Sequence, residues 1–243
     1  VGSEMCIRDR FICVPPSHHY FYIDIALQNN WHFMTEQPVA DNTECLEGLV
    51  ETVESSRLVT HVSNNLKFNR DIITVKSIIN SNEIGKVLCG IVEIGEWLPD
   101  WHTYEPYQDY YPSSKEEGGG LDAICDISWL SDIFGEVSRI ACFADKKTNL
   151  EIDTDDLVQI LLDFDNGPQI FLHSDMIQRP NVHKAKFICE EGCIEWDYSK
   201  SSVHLYRAKS KEWEYFDNKL DTGSFKSMKG KEGWEWVEQM YLE

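Results

Sequence analysis

Apolar residues along this chain follow two different rhythms, and the change comes near residue 66. Before it, FICVP (11–15) reads as a short buried strand. Ser17 is placed to cap a helix through about Asn29, with apolar positions at Phe21, Ile25 and Leu27. WHFMT (31–35) is a second strand. Asp41 with Glu44 three positions on suits a capping box, and Leu46, Leu49, Val50 and Val53 give the stripe of a second helix. LVTHVS (58–63) is a third strand. Strand–helix–strand–helix–strand at this spacing predicts a parallel, doubly wound sheet. Three strands are few for such a sheet, so part of it is expected to lie outside the sequence.

After Asn65 the alternation is of another kind. A helix over about 69–82 (Ile72, Val75, Ile79) leads through Ile84-Gly85 into the long strand KVLCGIVEIGE. A segment rich in Trp, Tyr and Pro (97–117) follows, then Gly118-Gly119-Gly120 and an apolar helix ending near Phe134-Gly135. Val158, Ile160, Leu162 and Phe164 alternate up to Asn166-Gly167, a strong hairpin signal, and Ile170 and Leu172 alternate on the return. Further strands are expected at FICE, CIEWD, VHLYR and EWEYF. The fold class is therefore α/β with an α+β second half. A partial Rossmann-type parallel sheet over 11–66 is followed by an α/β domain over 67–243 whose open sheet is mostly antiparallel. The first ten residues, VGSEMCIRDR, match nothing that follows and read as an adapter-derived artefact outside the fold.

Composition narrows the function. The 243 residues carry 22 Lys and Arg against 42 Asp and Glu, a net charge of −20, with no basic cluster. Nucleic acid and anionic membrane surfaces are thereby disfavoured as partners. No apolar run approaches the roughly 18–20 residues of a membrane span. Eight scattered cysteines suit a reduced, cytoplasmic protein. The one close pair, Cys189 and Cys193, reads as a tight turn between strands, and no metal site is expected.

Chemistry gathers where WHFMT closes on Glu36-Gln37-Pro38, since ligands of open α/β sheets bind at the carboxyl ends of the strands. CVPPSHHY, HFMTEQPVAD, NNLKF, EIGKV, LPDW, and GGG before a helix ending FGEV stand here in the order found in the Gfo/Idh/MocA oxidoreductases, which the chain resembles over roughly 11–198. The resemblance implies NAD or NADP as cofactor and a sugar or polyol substrate. It also implies a homo-oligomer formed through the C-terminal sheet. Two family features are not found: the Gly-rich turn expected upstream of Phe11 and a closing helix after Glu243. The chain therefore reads as a fragment truncated at both ends.

Site roles carry over position by position from the resemblance. Pro15, Pro16, His19, Glu36 and Asn65 border the cofactor; the plainer alternatives are a helix start for His19 and a polar strand end for Glu36. Gln37 stands where the family has a lysine that stabilises the reacting alkoxide, and a neutral amide supplies no charge. Loss of such a contact typically costs ~10²–10³ in rate. Cys125 takes the slot of the family's proton-accepting histidine, and Ser128 that of a later aspartate. Asp122 and Asp126, or one of Tyr104, Tyr107, Tyr110 and Tyr111, are the candidates to replace that acceptor. Trp97, Trp101 and His102 roof the substrate, with Tyr107 beside them, and Arg179 could fork onto a substrate carboxylate. The expected function is NAD(P)-dependent hydride transfer at a hydroxyl or carbonyl of a sugar, sugar acid or polyol. The alternative is a catalytically weakened relative that binds a dinucleotide or sugar for regulation or assembly.

Overall fold

The computed structural model describes residues 9–101, 104–115, 119–120 and 125–217. Three short parallel strands form the first sheet in the order β1-β2-β3: β1 (Asp9–Ile12), β2 (His32–Thr35) and β3 (Thr60–Val62). Helix α1 (Pro16–Gln28) links β1 to β2, and α2 (Leu49–Ser55) lies between β2 and β3.

Local expectations needed correction here. Pairing includes Asp9 and Arg10, opposite His32 and Phe33, which the sequence reading set apart as an artefact. Backbone pairing asks only for extended chain, and Arg10 also lies over the Trp31 ring at 3.8 Å. Helix α1 starts at Pro16 behind Pro15, with no side-chain cap from Ser17. Proline at the first helical position loses no bond, because that N–H is unpartnered in any helix. The buried stripe of α1 is Pro16, His19, Ile23 and Ala26, while Phe21 is exposed. HHYFYIDIALQ offers more than one apolar stripe, and packing on β1 and β2 chose between them. The Asp41–Glu44 box does not form. Asn42 Oδ1 accepts from the Glu44 N–H ahead of a 3-10 turn, Glu44–Leu46, and α2 begins after Gly48 in the left-handed region.

Asn69 caps α3 (Arg70–Ser81), its Oδ1 accepting from the N–H groups of Asp71 and Ile72. Strand β4 (Val87–Gly95) then starts an eight-stranded sheet completed by β5 (Val137–Asp145), β6 (Leu157–Phe164), β7 (Gln169–Asp175), β8 (Val182–Cys189), β9 (Gly192–Asp197), β10 (Ser202–Arg207) and β11 (Glu212–Asp217). Its order is β11-β10-β9-β8-β4-β7-β6-β5, antiparallel throughout except for the β4–β7 pair. The expected hairpin closes at Asn166-Gly167, with Asn166 at φ 54°. The Cys189–Cys193 segment is the turn between β8 and β9, and both thiols are free.

One face of this sheet is covered. Val92, Ile160, Leu172, Phe187, Ile194, Val203 and Leu205 point into a core with α3 and with α4 (Cys125–Phe134). Trp129 of α4 meets Phe187 and Trp196 edge-on. The other face carries Ile91, Phe171 and Leu161 in one cross-strand row, with Phe143 on the edge strand β5, all substantially exposed.

Candidate functional site

Two ends of structure meet at α4. Leu66, just past the carboxyl end of β3, is buried in the core of the large sheet, and the 3-10 turn Asn65–Phe68 packs against α4. The carboxyl end of β3 therefore leads directly to the helix that follows the glycines. That turn needs glycine for steric reasons. A Cβ on Gly120 would sit 2.0 Å from the Asp155 carbonyl oxygen, and Gly119 adopts φ +65° against Thr154. The Gly120 N–H donates to Thr154 Oγ1 at 3.0 Å, which ties the entry of α4 to the 153–156 loop.

The residues after β1 and β2 divide into those committed to the backbone and those open to a ligand. His19 is wholly buried, with Nδ1 2.7 Å from the Pro38 carbonyl and Nε2 2.7 Å from the Val14 carbonyl. Expected to border a ligand, its ring instead holds the Gln37-Pro38 turn against the end of β1. Pro16 is buried beside it, and Pro15 is partly exposed. Glu36 is half-buried at the end of β2. Its carboxylate adds to burial in raising the Cys13 thiol above its ordinary value. On β3, burial lowers His61, with the Lys67 cation contributing. Gln37 is half-buried and its side chain makes no hydrogen bond among the described residues. Asn65 opens the 3-10 turn, but the more informative neighbour is Asn64. Its Oδ1 is buried with no hydrogen-bond partner.

On the other side, Asp126 is fully buried in the first turn of α4. Its Oδ1 accepts from Trp129 Nε1 at 2.6 Å and pairs with His183 Nε2 at 2.9 Å, while Oδ2 is buried without a partner among the described residues. Asp126, one of the candidates to replace the proton acceptor, is committed through Oδ1 to Trp129 and His183. Tyr107 accepts the Glu151 N–H on its hydroxyl, and with Trp97 and Trp101 it packs on Leu98, Tyr110, Leu150, Ile152 and Met176. Trp101 Nε1 is buried and has no partner among the described residues. The Arg179 guanidinium stacks on Trp97 at 3.9 Å and lies 3.9 Å from Asp100, so its fork is partly engaged. His102, Asp122 and the Cys125 side chain lie outside the described residues.

Four buried side-chain atoms lack partners among the described residues, and three of them belong to these segments: Asn64 Oδ1, Trp101 Nε1 and Asp126 Oδ2. An unpaired buried polar atom costs about 1–3 kcal/mol, so each of these is a group whose burial a bound donor or acceptor would offset. Sequence reading missed His183 and Asn64. The spacing of Asp126 and Trp129 marks one helix turn, but nothing links Asp126 to a histidine 57 positions on.

The family model for the GFO/IDH/MocA C-terminal domain matches residues 72–195, just over half of the chain. Protein y4oX of Sinorhizobium fredii is 32% identical over 87 residues, 36% of this chain and 23% of its own length. Oxidoreductase C115.03 of Schizosaccharomyces pombe is 30% identical over 111 residues, 46% of this chain and 26% of its own. The chain spans about a quarter of the length of these curated relatives. Among solved structures, a levoglucosan dehydrogenase in complex with NADH and levoglucosan superposes with a TM-score of 0.81 at 17% identity. That match covers 99% of this chain and 69% of the other. An inositol dehydrogenase homolog from Azotobacter vinelandii, complexed with NAD+, gives 0.76 at 13% identity over 88% and 58%. At these identities the likeness is one of fold.

Proposed function

Because the chain belongs to the GFO/IDH/MocA family, we propose that it forms the core of an NAD(P)-dependent oxidoreductase acting on a hydroxyl or carbonyl of a sugar, sugar acid or polyol. The observation that carries this reading is Asn64 Oδ1, buried without a partner among the described residues just past the carboxyl end of β3. Asn64 Oδ1 fits an N–H or O–H of the dinucleotide, while Pro15, Glu36, Gln37 and Asn65 line the same edge. Bound there, NAD or NADP supplies the hydride acceptor or donor. Residues 11–66 then serve as the dinucleotide side and 67–217 as the substrate side. The Trp97–Trp101 segment offers ring faces to a sugar, and Trp101 Nε1 offers a donor.

Gln37 positions the reacting oxygen in this reading but adds no charge. The Gln37→Lys variant, tested by stopped-flow over a panel of sugars and polyols with each dinucleotide, should change the hydride-transfer rate. A charge that stabilises alkoxide raises the rate roughly tenfold, short of the ~10²–10³ seen where such contacts are fully built. Loss of a substrate-orienting amide lowers it instead. An unchanged rate would remove Gln37 from the site. Dinucleotide binding without turnover on any panel member would favour the weakened, ligand-binding relative. The exposed row Ile91, Phe171 and Leu161, with Phe143, is the surface through which copies of the chain would associate.

A further inference from the structure

His183 sits on the inner face of β8 opposite Ile94, one residue before the end of β4 and three before Trp97. Its ring is fixed on three sides. Tyr198 stacks on it with centroids 5.5 Å apart and planes at 28°, and Trp196 meets it edge-on at 4.8 Å. Asp126 Oδ1 holds Nε2 at 2.9 Å. Trp129 Nε1, which can only donate, points to that same oxygen, so Oδ1 is an acceptor and the Nε2 facing it carries a proton. In the neutral ring this leaves the lone pair on Nδ1, which has no partner among the described residues. The side chain keeps 16% of its surface accessible, whereas Asp126 keeps none. A ring nitrogen without a partner among the described residues, its other nitrogen oriented by a buried carboxylate, is the geometry of a general base and its positioning group.

Resting on the oxidoreductase reading above, we propose that His183 Nδ1 exchanges the substrate's hydroxyl proton and that Asp126 is its positioning residue. In the oxidising direction the substrate O–H bond breaks and its proton forms the Nδ1–H bond of an imidazolium. The electron pair left on oxygen becomes the second carbonyl bond as the carbon's hydride departs to the oxidised nicotinamide. The substrate alcohol is oxidised and the dinucleotide reduced; the reverse direction returns both proton and hydride. His183 thereby supplies, from a strand, the acceptor that Cys125 cannot provide from the helix.

Two measurements test this. Nitrogen-15 NMR of the histidine rings in the ligand-free protein, assigned with His183→Gln, should show His183 as the Nε2–H tautomer. An Nδ1–H tautomer would overturn the proposal without reference to activity. The His183→Gln amide can still donate to Asp126 but has no basic nitrogen in place of Nδ1. It should lower single-turnover hydride transfer by ~10²–10⁴ while leaving dinucleotide affinity within about threefold. Asp126→Asn should lower the rate less and shift the tautomer balance toward Nδ1–H. A His183→Gln rate within threefold of the parent's overturns the role of His183 alone. Absence of hydride transfer by the parent protein on every panel member overturns the oxidoreductase reading on which it rests.

Discussion

The two sheets divide labour unequally. In the parallel sheet, four residues are buried as a cluster: Ile12, Ile23, Ala26 and Phe33. Phe11 and Val59 remain 67% and 71% exposed. In the eight-stranded sheet, twenty-one described residues form one core, capped by Trp129 and Trp196. Hydrophobic stabilisation scales with apolar area removed from water, so the large sheet holds the molecule's stability. The small sheet instead carries polar groups, Glu36, Gln37 and Asn64, at and just beyond its strand ends. A region poor in buried contacts opens at lower free energy than one rich in them, which suits an edge that takes and releases a ligand.

Matched truncations in the two cores have the largest expected effect. Phe187→Ala empties a wholly buried position against Trp129 and Phe134 and should cost about 3–5 kcal/mol. Phe33→Ala, in a core small enough to relax around the gap, should cost about half as much. Chemical denaturation followed by intrinsic fluorescence measures both, and equal losses would defeat the claim that one sheet dominates.

A smaller effect lies in the Cys189 thiol of the large core, which burial, with Cys193, Cys89 and Glu190 adding, pushes up to about 11. The folded state holds this proton more tightly than the unfolded chain. Its stabilisation is therefore complete below the ordinary thiol value of 9.0 and is lost as pH rises through about 11. Unfolding free energies measured between about pH 8 and pH 11 should fall less in Cys189→Ala than in the parent. Parallel curves would exclude the thiol.

The smallest effect on stability is expected at Phe143, 79% exposed on the outer face. Phe143→Asp should change unfolding by no more than about 0.5 kcal/mol. Sedimentation velocity should nevertheless show it shifting an oligomer toward monomer. An unaltered sedimentation profile would remove that face as the site of association.

Periodicity and turn chemistry determined much of this protein before any coordinates. The alternation at Val158–Phe164, the Asn-Gly turn, and the 3.6-residue stripe of Ile72 and Val75 are local signals, set by pleat, turn geometry and helix pitch. The order of motifs likewise carried the family. Where local preferences were nearly balanced, tertiary packing decided. Helix α1 buried Ile23 and Ala26 rather than Phe21, and Pro16 rather than Ser17 set its start. Candidate site residues show the same division. Gln37 and Asp126 were visible as polar residues at element ends, but their surroundings were not. His19 turned inward because two backbone carbonyls stood within reach of its ring. His183 came to Asp126 only because β8 pairs beside β4 beneath α4. Contacts made across 57 residues depend on how sheet and helix layers stack, and no spacing within either segment encodes them.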